Sequence, residues 1–386
     1  MHALNRRDFL QVGGMSAGLS MLPNLALAST PAALAGHAAD RVVHQNGDGL
    51  ALTPAQYSAL LTRIIEEKGV TPDSYILGGV VDELEAAFAR LLGKERAMFM
   101  PTGTLANHLA VRSLAAGPSR VIVQEPSHFY LDEGDCAQTL SNLTLMPLAP
   151  GKATFTADDV QHVIDQAKGG RVLSRVSVIA IESPVRRLLG EQFDPAEMKK
   201  VVALAKSEGI RLHLDGARLF LQAAYTGEDV AQTAKPFDTV YVSLYKYFNA
   251  ASGAILAGPR ELLDPMFHTR RMFGGGLSSV WPFAAVAHHY LDGFTDRYSK
   301  AVRISEDLIR GLAQIDGFRV ERVTPGTNLF RLHVMGTAPA DFRKRLASSG
   351  VMLSAPRGDA FTIGVNESLN RTTATELTDA FVRARA

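Results

Sequence analysis

The stretch RLHLDGARLF, residues 211–220, and DTVYVSLYKYFNAASGAILAG, residues 238–258, decide the fold. Residues 211–214 read as a short apolar strand that ends in Asp215. Gly216 permits a tight turn, and Arg218 lies three residues past the Asp. Residues 239–244 read as a second strand with Lys246 just beyond it, and a small-residue strand over 253–257 leaves the region. Strands flanked by helical segments predict a mostly parallel sheet whose carboxyl ends open on one crevice. Asp215, Arg218 and Lys246 would then meet at a single rim.

Those residue types suit pyridoxal phosphate. A Lys amine condenses with the cofactor aldehyde, and an Asp keeps the pyridine nitrogen protonated so that the ring withdraws electrons. An Arg grips an amino-acid carboxylate with a two-pronged fork. Each residue alone is an ordinary strand-end cap or surface cation. Their placement on successive strand ends points to a site.

HLDGARLF followed by a Lys after the next strand resembles the threonine aldolase and aromatic amino acid β-eliminating lyase family of pyridoxal-phosphate enzymes. The resemblance implies an α/β, aspartate-aminotransferase-like fold, with a mostly parallel sheet in a large domain and a small α+β C-terminal domain. It implies that Asp215 meets the ring nitrogen, Arg218 the substrate carboxylate, and Lys246 the cofactor aldehyde. FMPTGTLANHLA, residues 99–110, resembles the family's phosphate-binding segment and assigns Thr102, Gly103 and Thr104 to the phosphate. A Gly/Thr turn opening a helix offers free N–H groups and a positive dipole end, which suits an anion. His128, after a strand over 120–124, falls where the family stacks a His on the ring. Its ordinary pKa of about 6.5 suits proton transfer near neutrality. Tyr75 falls in the family's Tyr-containing loop and is assigned to the substrate. HTRRMFGGGLSSVWPFAA, residues 268–285, resembles a basic, Gly-rich segment that reaches the phosphate partly from a neighbouring subunit, with Arg271 at the basic position.

The sequence departs from the family in four places. Val185 stands where a second His is usual, Tyr247, Phe248 and Asn249 replace small residues after Lys246, and Ser278 and Ser279 follow the glycines. The bulky residues predict a filled pocket floor. The strand over 361–364 lacks the family's second carboxylate-binding Arg, for which Arg357 is the nearest substitute.

The chain has 386 residues, 46% hydrophobic and 20% charged, with net charge +1. That composition is globular, and the charge gives no bulk attraction to nucleic acid. A single Cys, Cys136, excludes an intrachain disulfide and reads as a buried small hydrophobe. No metal site is expected. Asn5-Arg6-Arg7-Asp8-Phe9-Leu10, a mild apolar run to Leu25 and Ala26-Leu27-Ala28 read as a twin-arginine signal peptide over 1–28. Its removal leaves 38 basic and 38 acidic residues and places the folded protein in the periplasm, with no membrane attachment after export. A lead-in over 29–52, a large cofactor-binding domain over 53–295 and a small domain over 296–386 complete the expected organisation. The expected function is retro-aldol cleavage of a threonine-like amino acid by a homodimer or homotetramer. The alternatives are β-elimination or racemisation on the same scaffold, and a non-catalytic periplasmic binding protein.

Overall fold

The computed structural model describes residues 41–172 and 174–386. The twin-arginine stretch, residues 1–28, lies outside the described residues. Among the described residues twelve strands are numbered in chain order. They are β1 (Val43–His44), β2 (Arg96–Met100), β3 (Arg120–Gln124), β4 (Thr144–Leu148), β5 (Val176–Glu182), β6 (Arg211–Asp215), β7 (Thr239–Ser243), β8 (Ala254–Gly258), β9 (Phe318–Glu321), β10 (Leu329–Val334), β11 (Val351–Met352) and β12 (Ala360–Gly364).

Seven of them build the central sheet in the order β2-β8-β7-β6-β5-β3-β4. Only β8 runs antiparallel to its neighbours. Its inner strands are near-continuous apolar runs because helices cover both faces. Strand β7 is buried at all five positions. The parallel strands therefore end on one edge, and the segments that follow β2, β3, β5, β6 and β7 share one crevice.

Strand β4 escapes sequence reading because Pro147 interrupts it. The structure places β4 at the sheet edge, paired only with β3, where a missing N–H costs least.

Helix starts follow their capping residues. Thr53 caps Pro54–Lys68 and Thr156 caps Ala157–Lys168, each with a reciprocal capping box. Behind the sheet, Phe88, Phe220, Phe248 and Phe294 interlock with ring centroids 5.0–6.2 Å apart. Tyr247 and Phe248 belong to this core and are almost fully buried. The expectation that they fill the pocket floor is therefore corrected. Their rings turn toward Phe220 and Phe294, and only Tyr245 and Lys246 of that run line the cavity.

Strands β12-β10-β9 form a separate antiparallel sheet, covered by helices Phe294–Ala313 and Ala374–Arg385 around Phe342, Phe361 and Phe381. Part of the stretch expected as a lead-in is structured. Strand β1 pairs with β11, and the Gly47 carbonyl accepts an N–H from Asn366. Asn249 Oδ1 accepts the Leu50 N–H at 2.7 Å, which lays residues 47–50 across the Lys246 turn. A Cβ on Gly49 would overlap the Lys246 carbonyl oxygen, so this close approach requires glycine.

Candidate functional site

At the carboxyl edge of the central sheet lies a cavity of about 260 Å³. Thr102, Gly103, Thr104, His128, Asp215, Arg218 and Lys246 all line it, so seven of the nine predicted site residues come together. Tyr75 and Arg271 do not line it. They meet each other instead, with the Arg271 guanidinium 4.8 Å from the Tyr75 ring centroid. Asp73 holds this assembly by accepting N–H groups from Ile76, Val280 and Trp281, and the Tyr75 N–H reaches the Ser278 carbonyl. These two loops are laced to one another on the surface, and neither Tyr75 nor Arg271 lines its own chain's cavity.

Thr102 caps the helix Gly103–Ala115, its hydroxyl accepting the Leu105 N–H. The Gly103 and Thr104 N–H groups have no partner among the described residues, so two backbone donors at a helix start line the cavity. A Cβ at Gly103 would overlap the Tyr241 hydroxyl, which ties that position to glycine.

Asp215 is held in a buried network. Asn107 Nδ2 donates to Asp215 Oδ2 at 2.8 Å and to Glu133 Oε1 at 2.9 Å. Asn107 Oδ1 faces His213 Nε2 at 3.0 Å, and His213 Nδ1 meets the Thr239 hydroxyl at 2.8 Å. Burial lowers the His213 pKa to about 4, so it is neutral and donates from Nε2 to Asn107. That fixes the amide: its oxygen faces His213 and its nitrogen bridges the two carboxylates.

His128 Nδ1 lies 3.0 Å from Glu133 Oε1, and this hydrogen bond raises the His128 pKa against the opposing effect of burial. Burial raises the Glu133 pKa in turn. The backbone N–H of His128 donates to Glu182 Oε2 at 2.7 Å, and that of Arg186 to Glu182 Oε1 at 3.0 Å. Burial and the Asp215 charge push the Glu182 pKa upward.

Lys246 lies 5.4 Å from the Tyr245 ring centroid and 5.8 Å from that of Tyr241. Burial, helped by the Arg218 charge, lowers its pKa to about 8, which makes the amine available as a nucleophile. Arg218 is itself held from a distance in sequence. Its Nε and Nη2 donate to Asp48 Oδ2 at 2.9 and 2.8 Å, and Asn328 donates to Asp48 Oδ1 at 2.8 Å. Burial would raise the Asp48 pKa, but Arg218, with Arg186 and Asn328, pulls it down to about 2.

Sequence reasoning missed Asp48, Asn107, Glu133, Tyr241 and Arg186. Glu133 had a local signal, five residues after His128 on the same short turn. Asn107 falls inside the quoted phosphate-binding segment but is conspicuous only once the helix is placed against β6.

The residues present fit a carbonyl cofactor bearing a phosphate: two free donors at a helix start, a nucleophilic amine and a fixed carboxylate line the same cavity. The fold and these residues define a pyridoxal-phosphate-dependent enzyme. The profile of the beta-eliminating lyase family matches residues 70–334, and the chain belongs to that family. It is 26% identical to low-specificity L-threonine aldolase 1 of Arabidopsis thaliana over 275 residues, covering 70% of this chain and 77% of that one. A solved structure from Listeria monocytogenes, assigned as an L-allo-threonine aldolase, superposes with a TM-score of 0.74 at 26% identity, covering 89% of this chain and 95% of the other. A serine palmitoyltransferase variant from S. paucimobilis, solved with a bound PLP–myriocin aldimine, shares the fold at a TM-score of 0.59 and 18% identity, covering 89% of this chain and 87% of the other.

Proposed function

We propose that this chain cleaves the Cα–Cβ bond of a β-hydroxy-α-amino acid, releasing glycine and an aldehyde. The observation that carries the reading is the His128–Glu133 pair, 3.0 Å apart, facing the same cavity as Lys246 and Asp215.

In this reading Lys246 holds the cofactor aldehyde, Asp215 the ring nitrogen, and Thr102, Gly103 and Thr104 the phosphate. Pyridoxal phosphate, when bound, supplies an electron sink for the charge left on Cα. Glu133 accepts the His128 Nδ1 proton, which leaves the lone pair on Nε2. That nitrogen takes the β-hydroxyl proton as the bond to Cβ breaks. Asn107 keeps both carboxylates from turning away. Arg218 has Nε and Nη2 engaged by Asp48 and offers Nη1 to the substrate carboxylate.

The test is spectral and chemical. A purified protein that is yellow, changes its visible band with glycine, and releases glycine and acetaldehyde from L-threonine supports the reading. Ammonia with a keto acid would make it an eliminating enzyme, and an inverted amino acid a racemase. A protein that stays colourless with added pyridoxal phosphate would be a binding protein instead.

The working form in this reading is a homodimer or homotetramer. Tyr75, Leu77, Met272 and Leu277 are exposed apolar side chains around Arg271. Such a patch suits burial against a second copy, where Tyr75 and Arg271 would reach the neighbouring cavity. A fully active monomer in light scattering would overturn this. The residues 1–28 would direct folded export to the periplasm. Cell fractionation should then show an Arg6→Lys/Arg7→Lys variant retained inside.

A further inference from the structure

A second cavity, about 690 Å³, adjoins the first: Asp132 lines both. Four arginines line it, Arg186 and Arg187 after β5, Arg331 on β10, and Arg357 before β12. Its carboxylates are already engaged. Asp132 accepts from Arg187 Nε at 3.0 Å. Glu321 accepts from Arg331 at 2.7 Å and meets His333 at 3.3 Å, while Asp359 meets His333 at 3.1 Å.

Two cations are left over. The guanidinium groups of Arg186 and Arg357 have no hydrogen bond or ion pair among the described residues. Both backbones are nevertheless anchored, Arg186 N–H on Glu182 and Arg357 N–H on the Ala360 carbonyl at 2.8 Å. An arginine cannot escape by losing its proton. Arg186 is half-buried, and burial first, then the charges of Arg218 and Arg357, disfavour its charge. An anion placed between Arg186 and Arg357 would relieve both burdens, and the guanidinium fork favours a carboxylate.

The position of the two cavities says which carboxylate. Arg218 lines the first cavity and not the second, whereas Arg186 and Arg357 line the second and not the first, so Arg357 is not beside Arg218 in the place of the family's second carboxylate-binding Arg. A substrate with its α-carboxylate at Arg218 and its β-hydroxyl at His128 has its remaining Cβ substituent to direct past Asp132. We infer that the second cavity is a subsite for a carboxylate carried on Cβ, with Arg186 and Arg357 as its ligands, so that the preferred substrates are β-hydroxy amino diacids. This rests on the retro-aldol reading above. For 3-hydroxyaspartate the Cα–Cβ bond breaks, the β-hydroxyl proton passes to His128, Cβ departs as the aldehyde carbon of glyoxylate, and Cα gains a proton to become glycine.

The experiment compares glycine release from 3-hydroxyaspartate and from threonine by the holoenzyme, in wild type, Arg186→Gln and Arg186→Gln/Arg357→Gln. Calorimetry alongside measures binding of L-aspartate, which lacks the β-hydroxyl and cannot be cleaved this way, against L-alanine. The subsite predicts a higher kcat/KM for the diacid in wild type. It predicts that the ratio of diacid to threonine falls by about 10- to 100-fold in Arg186→Gln, as for loss of a charge-assisted hydrogen bond, and further in the double variant. Aspartate should lose affinity in step while alanine does not. A wild type that favours threonine, or variants that lower both substrates equally, would overturn the subsite. If neither substrate yields glycine, the retro-aldol reading fails by itself, and the aspartate-to-alanine comparison alone decides the subsite.

Discussion

Arg218 lines the first cavity and Arg186 the second, and they are opposite cases of the same side chain. Arg218 is buried and has its charge matched inside the fold by Asp48, which Asn328 steadies in turn. Arg186 is half-buried and has no carboxylate of its own among the described residues. A matched cation is held in one geometry by its partner, and part of its charge is balanced inside the fold before any ligand arrives. An unmatched one keeps its field for whatever enters. The residue type is therefore a poor guide to which arginine selects the substrate; the partner, or its lack, is a better one.

The largest effect should come from unmatching Arg218. Asp48→Ala leaves a buried guanidinium without its carboxylate, a loss of about 3–5 kcal/mol when one partner of a buried pair is removed. Urea unfolding measures it, and Arg218→Leu in the same background should recover part of the loss. A cost no greater than a surface substitution, within about 0.5 kcal/mol, would mean that Arg218 finds another partner and the contrast is false. The wild-type pair also has a pH signature. The Asp48 pKa is depressed to about 2, so its contribution is present above the ordinary carboxylate range and is lost only as pH falls toward 2.

Comparable in size is the loss of the proton acceptor. His128→Phe should lower the cleavage rate by about 10²- to 10⁴-fold, the span of general acid–base catalysis. The pH profile makes the role specific. His128 must be neutral to accept a proton, and Glu133 raises its pKa, so activity should fall as pH drops through a midpoint above the ordinary 6.5. Glu133→Gln removes that bias and should move the acid limb to lower pH. An unmoved limb would detach His128 from the rate.

Paired as it is, Arg218 still reaches Lys246. The lysine pKa is lowered to about 8 by burial and then by the Arg218 charge. Uptake of pyridoxal phosphate by the cofactor-free protein requires the neutral amine, so its rate should rise with pH through about 8. In Arg218→Leu the midpoint should move upward. A midpoint near that of an ordinary lysine in wild type would show that neither burial nor Arg218 lowers it, and an unmoved midpoint in Arg218→Leu would leave burial as the sole cause.

The legible part of this molecule was the part written locally. Asp215 ends a strand, and Lys246, the Thr102–Thr104 turn and His128 each come within four residues of the end of one, so the order of elements carries them to one edge. The illegible part depends on packing between distant segments. Asp48 lies 170 residues from Arg218, and Asn107 lies 108 from Asp215. Strand β1 has only two residues and no periodicity to show. Tyr247 and Phe248 were read by size alone; the direction each faces depends on the Phe220 and Phe294 core behind them. Tyr75 and Arg271 were placed by resemblance in a site that their own chain does not bring them to.

The smallest effect is the sharpest test of the opening contrast. Arg186→Gln should change stability by no more than about 0.5 kcal/mol, and toward greater stability. Burial and two neighbouring cations oppose its charge, while Asp48 and Glu182 only partly favour it. Removing the charge leaves no carboxylate stranded, because none is bonded to it. The wild type should also gain melting temperature from a dicarboxylate such as succinate, by mass action on the folded state, and Arg186→Gln should gain less. A destabilisation on the scale of Asp48→Ala would mean that Arg186 is matched after all, and the two arginines would then be one case rather than two.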